Sequence, residues 1–377
     1  MSAAQWRRAM NTGALSTLRP RAAASTSAPT TIAIPDPYAH SDAPRWLKFL
    51  WRTLAPRHVF VGLLVLLFPF VATPFLTFQV ATQSLLLGMV ALSLTFLAGY
   101  GGIVSLAQMT VAGISGYALA VLGTSSSPEI SLAWPWWVAV PFAITIAVIC
   151  ATLIGWLSVR TDGIYTIMIT LAIGVAFYYL VLQNYSIFNG FQGLRELKPP
   201  TVFGIGWREP VPFYFLVLFW ALAAYFLVRY VVRTPFGIAL QGTRDNPRRM
   251  AALGFHVVAH RVAAYALAGL IAAVAGIGVA WYNALMTPGS VGTSWLINIL
   301  IIAVLGGMKH PIGAFLGALT FVLLQTFAID MIDRERFNLV IGGVFLAIVL
   351  FSPDGLLGLW AMFRSRFGGH TLTSKGD

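Results

Sequence analysis

The sequence predicts an all-α, polytopic membrane protein of about ten transmembrane helices with one or two broken or re-entrant elements. Three observations carry that expectation. Of 377 residues, 58% are hydrophobic and 10% charged, where a soluble domain holds roughly 25% charge. The mean hydropathy is +0.80. After Val59 the chain is a series of apolar runs, most of them near the ~20 residues that cross a bilayer as a helix, separated by short polar or glycine-rich breaks. A water-soluble enzyme is excluded, and no large extramembrane domain fits between the runs.

Residues 1–57 are rich in Ala, Ser, Thr, Pro and Arg and lack the apolar core of a secretory signal. They suit a disordered basic cytoplasmic tail, with a transit peptide over Met1 to Pro35 as the compositional alternative. Trp46, Leu47, Phe49, Leu50 and Trp51, interleaved with Arg45, Lys48 and Arg52, suit an approach along the membrane surface. The membrane body, residues 58–360, is expected to cross at Val59–Phe78, Val80–Ala98, Met109–Gly123, Trp136–Val159, Ile164–Gln183, Pro212–Val232, Val262–Tyr282, Trp295–Met308, Ile312–Ile329 and Leu339–Trp360. Residues 361–377 are expected to form a second cytoplasmic tail.

The net charge of +12 comes from 24 Lys+Arg against 12 Asp+Glu, and its distribution argues for membrane orientation rather than nucleic acid. With the N-terminus in the cytoplasm, ten crossings place both tails, Arg160, the Arg229–Arg261 stretch and Lys309 on one side. The other side receives Arg195, Lys198, Arg208, Arg334 and Arg336, offset by Glu129, Glu196, Glu209, Asp330, Asp333 and Glu335. The single cysteine, Cys150, lies in an apolar run and forms no intrachain disulfide or thiolate pair.

Two places look wrong for plain helices. Gly99, Gly101 and Gly102, with Ser105 and Gln108 just beyond, suit a broken element facing a translocation path, because non-helical backbone at membrane depth survives only inside protein or along a wet cavity. The alternative is a tight cytoplasmic turn with small-residue helix packing. Gly306, Gly307, Pro311, Gly313 and Gly317 make a second break, with Gly313 and Gly317 in GxxxG spacing for close helix packing.

No engine is visible in the chain. It has no GxxxxGK[ST] phosphate loop, and its acidic residues sit in tails, loops or span ends rather than at mid-membrane, where a proton- or sodium-driven carrier would place them. No HExxH or GxSxG occurs. His256 and His260 are four apart but lack a third ligand nearby, so no metal or other cofactor is expected.

The longest polar interruption, residues 233–261, contains Asn246 as a helix N-cap, Pro247 in the first turn, a short helix over Arg248–Leu253 and Gly254 as its end. Such an ordered cytoplasmic helix suits docking to an ATPase subunit. Met250, Ala251 and Leu253 would supply shape, flanked by Arg244, Asp245, Arg248 and Arg249. Surface charge pairs contribute only about 0–1 kcal/mol each, so no single arginine is expected to decide the fit. The alternative is contact of the arginines with anionic lipid.

Four segments in order give the chain a family likeness: Gly99 to Gln108 with Gly116-Tyr117; Thr243-Arg-Asp-Asn246 with Ala252-Leu-Gly254; Val304-Leu-Gly-Gly307 with Gly313 and Gly317-Ala318; and Pro353-Asp-Gly-Leu356. Together they resemble the M-type permease of high-affinity branched-chain amino acid ABC importers, over about Phe75 to Leu359. The resemblance implies a fold like that of the ribose and vitamin B12 importers' membrane subunits. It also implies partners: a related H-type permease, two ABC ATPase subunits that bind the ATP, and an extracytoplasmic solute-binding protein. It further implies import of leucine, isoleucine and valine, or of urea, short amides or another small solute. A self-contained channel is the reading of a different class.

The chain departs from the family pattern at Ala107, where a glycine is common, and at Thr95, near which an asparagine is common; Met109-Thr110-Val111 is also unusual. The outer loop Asn189–Arg195, with turn-forming Gly190 and Gly193, resembles the family's glycine-rich loop. It either touches the binding protein or caps two helices.

Overall fold

The computed structural model describes residues 65–126, 129–201 and 206–331, together with 342, 343, 346 and 355–358. The expected tails and most of the expected span Leu339–Trp360 lie outside the described residues. The helices are α1 Leu76–Tyr100, α2 Gln108–Leu122, α3 Trp136–Ser158, α4 Ile164–Gln183, α5 Pro210–Arg233, α6 Pro235–Asp245, α7 Pro247–Ala252, α8 Val257–Asn283, α9 Thr293–Gly306 and α10 Pro311–Met331. A short helical stretch over 65–71 precedes them.

Among the described residues, five helices are long and apolar enough to cross a membrane: α1, α3, α4, α5 and α8. A sixth span results if α9 and α10, bent by 117° at the 307–310 break, act as one. The chain is thus an all-α, multi-pass membrane protein, and several expected spans need correction. With 15 and 14 residues, α2 and α9 reach only about 21–23 Å at 1.5 Å per residue, short of the ~30 Å hydrocarbon core. The runs Met109–Gly123 and Trp295–Met308 are apolar enough to cross but not helical for long enough. The predicted boundary between Phe78 and Val80 is also absent, since α1 runs straight through Gln79. The Gln79 amide oxygen accepts from the Tyr282 hydroxyl at 3.0 Å, so this polar residue is satisfied sideways and marks no loop. The break falls instead at 72–73, where the Thr73 carbonyl takes the Thr77 N–H at 3.0 Å.

Helix α3 buries small residues and exposes large ones. On α3, Ala139, Ala143, Ala147 and Ala151 recur at the i+4 spacing of one helix face and are fully buried, while Phe142, Ile149, Leu153 and Trp156 are exposed. That inversion suits lipid, which wets large apolar side chains and leaves close backbone approach to hold helices together. Helix α8 packs on α2, α3 and α1. A Cβ at Gly269 would overlap Ala151, one at Gly276 would overlap the Ala112 carbonyl, and the Ser115 hydroxyl donates across to the Ala273 carbonyl at 2.8 Å. Helix α1 is the most buried span, at 83%, against 22% for α4.

At the Asn283 end of α8, Leu285–Met286 pairs antiparallel with Leu194–Arg195. The Asn189–Arg195 loop therefore does cap other elements. Asn189 and Gly190 take left-handed φ of 57° and 52°, Asn189 Nδ2 donates to the Gly193 carbonyl at 2.9 Å, and a Cβ at Gly193 would overlap the Met286 carbonyl.

Candidate functional site

Helices α1 and α2 form an antiparallel hairpin whose connection is unusual. Helix α1 widens into a π-turn over Phe96–Tyr100, a feature that recurs at functional positions. Residues 102–107 then leave helical geometry. Gln108, the first residue of α2, meets the Ser93 hydroxyl, which donates to its amide oxygen at 3.0 Å. Ser93 lies seven residues before Tyr100, so the connection runs back into the bundle by about 10 Å. Most of this non-helical backbone is buried, and three of its donors have partners beyond regular helix bonding. Ile103 N–H reaches the Leu97 carbonyl at 3.1 Å, Leu106 N–H reaches Thr170 Oγ1 of α4 at 3.1 Å, and Ala107 N–H reaches Ser105 Oγ at 3.3 Å.

Ser105 and Gln108 are wholly buried. The hydroxyls of Thr95 in α1 and Thr110 in α2 are buried too, with no hydrogen-bond partner among the described residues. These buried side chains are polar yet uncharged.

The polar segment after α5 is a helical hairpin, where the sequence predicted a single short helix. Thr234 caps α6, accepting from Gly237 N–H at 3.4 Å, with Pro235 in its first turn. Asn246 caps α7, accepting from Arg249 N–H at 2.9 Å, with Pro247 in its first turn. Gly254, at φ 89°, follows the end of α7. Thr234-Pro235 is the same cap-plus-proline pair as Asn246-Pro247, so the signal for α6 was present in the sequence. Helix α8 starts at Val257, five residues before the apolar run, and Arg261 there pairs with Asp162 at 3.0 Å.

Met250 turns inward, since a Cβ at Gly242 would lie 2.7 Å from its sulfur. Ala251 and Leu253 face outward with Asp245, Asn246, Arg248 and Arg249. The His260 ring stacks on Phe236 at 5.7 Å and 11°.

The four segments that carry the family likeness meet. Leu240 of α6, fully buried, packs on Gly101, where an added Cβ would lie 3.6 Å from it. One turn on, Arg244 lies across Gly102, whose φ is 68°, and its Nη1 donates to the Gly99 carbonyl at 2.5 Å. Asp245 Oδ1 holds the same guanidinium at 2.9 Å. Gly99 abuts the Met308 carbonyl in the second break. There Gly306, Gly313 and Gly317 bring α9 and α10 into backbone contact, since a Cβ on any of the three would overlap the other helix's main chain. Gly355, of the Pro353–Leu356 segment, sits on Gly307, with an added Cβ 2.6 Å from the Gly307 nitrogen.

Sequence reasoning missed Gln79, Gln83 and Asn283. Gln83 and Asn283, with Tyr282 and Ser290, line a small cavity at the opposite end of α1. Single amides inside apolar runs were the only signal for them.

Comparison with known proteins identifies a family. The sequence profile of the family described as branched-chain amino acid transport system / permease component matches residues 76–349. The high-affinity branched-chain amino acid transport system permease protein LivM of Escherichia coli K12 is 26% identical over 332 residues, covering 81% of this chain and 76% of that protein. LivM of Salmonella typhimurium is 25% identical over 322 residues, covering 78% and 74%. The autoinducer 2 import system permease protein LsrC of Escherichia coli O9:H4 is 31% identical over 174 residues, 44% of this chain and 47% of that protein. No solved structure matches. With its buried glycine breaks, its capped hairpin and a profile match over most of its length, the chain belongs to the family of branched-chain amino acid transport system permease components.

Proposed function

We propose that the chain is the M-type permease subunit of an ATP-driven importer that moves leucine, isoleucine and valine from an extracytoplasmic binding protein into the cytoplasm. The observation that carries this reading is the α6–α7 hairpin. It is capped at both starts and presents Ala251 and the 67% exposed Leu253 outward, yet its other face is packed against the end of α1. A chain without a phosphate loop gains from such a handle only if an ATPase subunit grips it. The assembly then comprises two ABC ATPase subunits, a related H-type permease and the binding protein, with membrane lipid around the exposed apolar faces.

In this reading about ten helical segments enter the inner membrane, the short α2 and α9 reaching only part of the way, with both termini cytoplasmic as the basic residues favour. Residues 1–57 and 361–377 are the cytoplasmic tails, and 58–360 the permease body. Gly99, Gly101, Gly102, Ser105 and Gln108 border the translocation path. The buried, uncharged dipoles of Ser93, Thr95, Gln108 and Thr110 suit a zwitterion that brings its own two charges close together.

The test is uptake of labelled leucine by proteoliposomes holding the chain with the subunits that copurify with it. Uptake requires both ATP and binding protein if the reading holds. Uptake that continues without ATP marks a facilitator and defeats it. Ala251→Glu places a charge in the docking face and is expected to abolish uptake while the binding protein still takes up leucine.

A further inference from the structure

We propose that Arg244 is a strut that transmits movement of the docking hairpin to the start of the translocation path, acting through the backbone of Gly99 and Gly102. The proposal rests on the importer reading above and sets Arg244 apart from Arg248 and Arg249, with which it was grouped on sequence grounds.

The last carbonyls of a helix lack partners within it. In α1, the carbonyls of Leu97 and Ala98 take the N–H groups of Gly101, Gly102 and Ile103. The Gly99 carbonyl takes the Arg244 guanidinium instead, a cation placed at the negative end of the helix dipole. The guanidinium is planar and is gripped on its other edge by Asp245, with Nε and Nη2 each 2.9 Å from Oδ1, so the head is oriented rather than loosely tethered. Its aliphatic stem lies where a Gly102 side chain would be. Leu240 grips Gly101 from the same helix. Helix α6 therefore holds the turn at an apolar point and at a polar point.

Beyond that turn, residues 103–107 lead without regular helical hydrogen bonding to the buried Gln108. The other side of Gly99 rests on the Met308 carbonyl. Withdrawal of α6 would remove the donor from the Gly99 carbonyl and uncover Gly102, so the connection is free to shift relative to the fixed second break. Arg248 and Arg249 lie exposed on α7, and among the described residues neither makes such a contact with α1. Arg244 is thus a positioning residue, working through main chain.

The experiment measures leucine uptake and ATP hydrolysis together in proteoliposomes of the complete complex, for the wild type, Arg244→Gln, Arg244→Lys, Gly102→Ala and the double variant Arg244→Gln/Gly102→Ala. Arg244→Gln is expected to assemble in wild-type yield and to lower leucine moved per ATP hydrolysed by about tenfold or more, the scale of one lost charge-assisted hydrogen bond. Arg244→Lys keeps a donor without the planar fork and recovers part of the ratio. Gly102→Ala crowds the stem and gives a similar loss, and the double variant is no worse than either single one, because both break one device.

Multiplied losses in the double variant overturn the proposal, as does a wild-type ratio in Arg244→Gln. Loss of the ATPase subunits or of folded complex in both Arg244 variants overturns it too, assigning the residue to docking or stability. A wild-type complex that transports without ATP defeats the importer reading itself, and the strut's role with it.

Discussion

The two glycine breaks use the same residue for opposite ends. At Gly101 and Gly102 the space that a Cβ would take is filled by side chains, Leu240 and Arg244, that come from another helix. At Gly306, Gly313 and Gly317 it is filled by main chain of the facing helix. A side chain can rotate away, whereas a main chain yields only if the helices part. The first break is also held by polar contacts from outside itself, Thr170 on Leu106 and Arg244 on Gly99. The comparison teaches that at Gly101 and Gly102 the first break can yield by side-chain rotation, whereas the second can yield only if α9 and α10 part. The two breaks touch at Gly99 and Met308, where the more yielding element meets the less yielding one.

The largest effect that can break this comparison lies in the second break. Gly317→Leu puts a side chain against the Ile302 carbonyl and the Gly306 backbone, and no rotamer avoids main chain. Forcing α9 from α10 is expected to cost upwards of about 3 kcal/mol, seen as loss of monodisperse protein in detergent. Wild-type yield and thermal midpoint in this variant would mean that the second break is as yielding as the first.

A smaller effect separates the polar latch from mere packing. Thr170→Val keeps shape but leaves the buried Leu106 N–H without its acceptor, at a cost of about 1–3 kcal/mol. Thr170→Ser restores the hydroxyl and should recover most of that stability. If valine and serine behave alike in thermal unfolding, the connection is held by its apolar neighbours and the contrast between the breaks weakens.

Much of this was legible in the sequence, for definite reasons. Apolar composition located the long spans α3, α4, α5 and α8 to within a few residues, since lipid demands it along their whole length. The N-cap and proline of α7 and the terminal Gly254 were local signals and fell where expected. What composition does not record is whether an apolar run is helical throughout. That is why α2 and α9 came out short, and why Gln79 looked like an end. Helix α6 was missed because its apolar residues are few, although Thr234-Pro235 announced it. The meeting of Gly99 with Arg244, 145 residues apart, depends on how α1, α5 and α8 pack and has no local signature.

The smallest expected change in stability bears on the path itself. Gln108 is buried, and its amide oxygen accepts from Ser93, whose hydroxyl also lies 2.6 Å from the Val90 carbonyl. Gln108→Leu removes one acceptor but leaves Ser93 another, and leucine fills most of the volume. The thermal midpoint should therefore move little, within about 1 kcal/mol. Transport should respond differently. If residues 102–108 border the path, a leucine there replaces the dipole that a passing zwitterion would meet with hydrocarbon, so uptake falls while the complex assembles and binds ATP normally. A large fall in stability with uptake per folded complex unchanged would return Gln108 to a purely structural role. The first break would then be a hinge without being part of the wall.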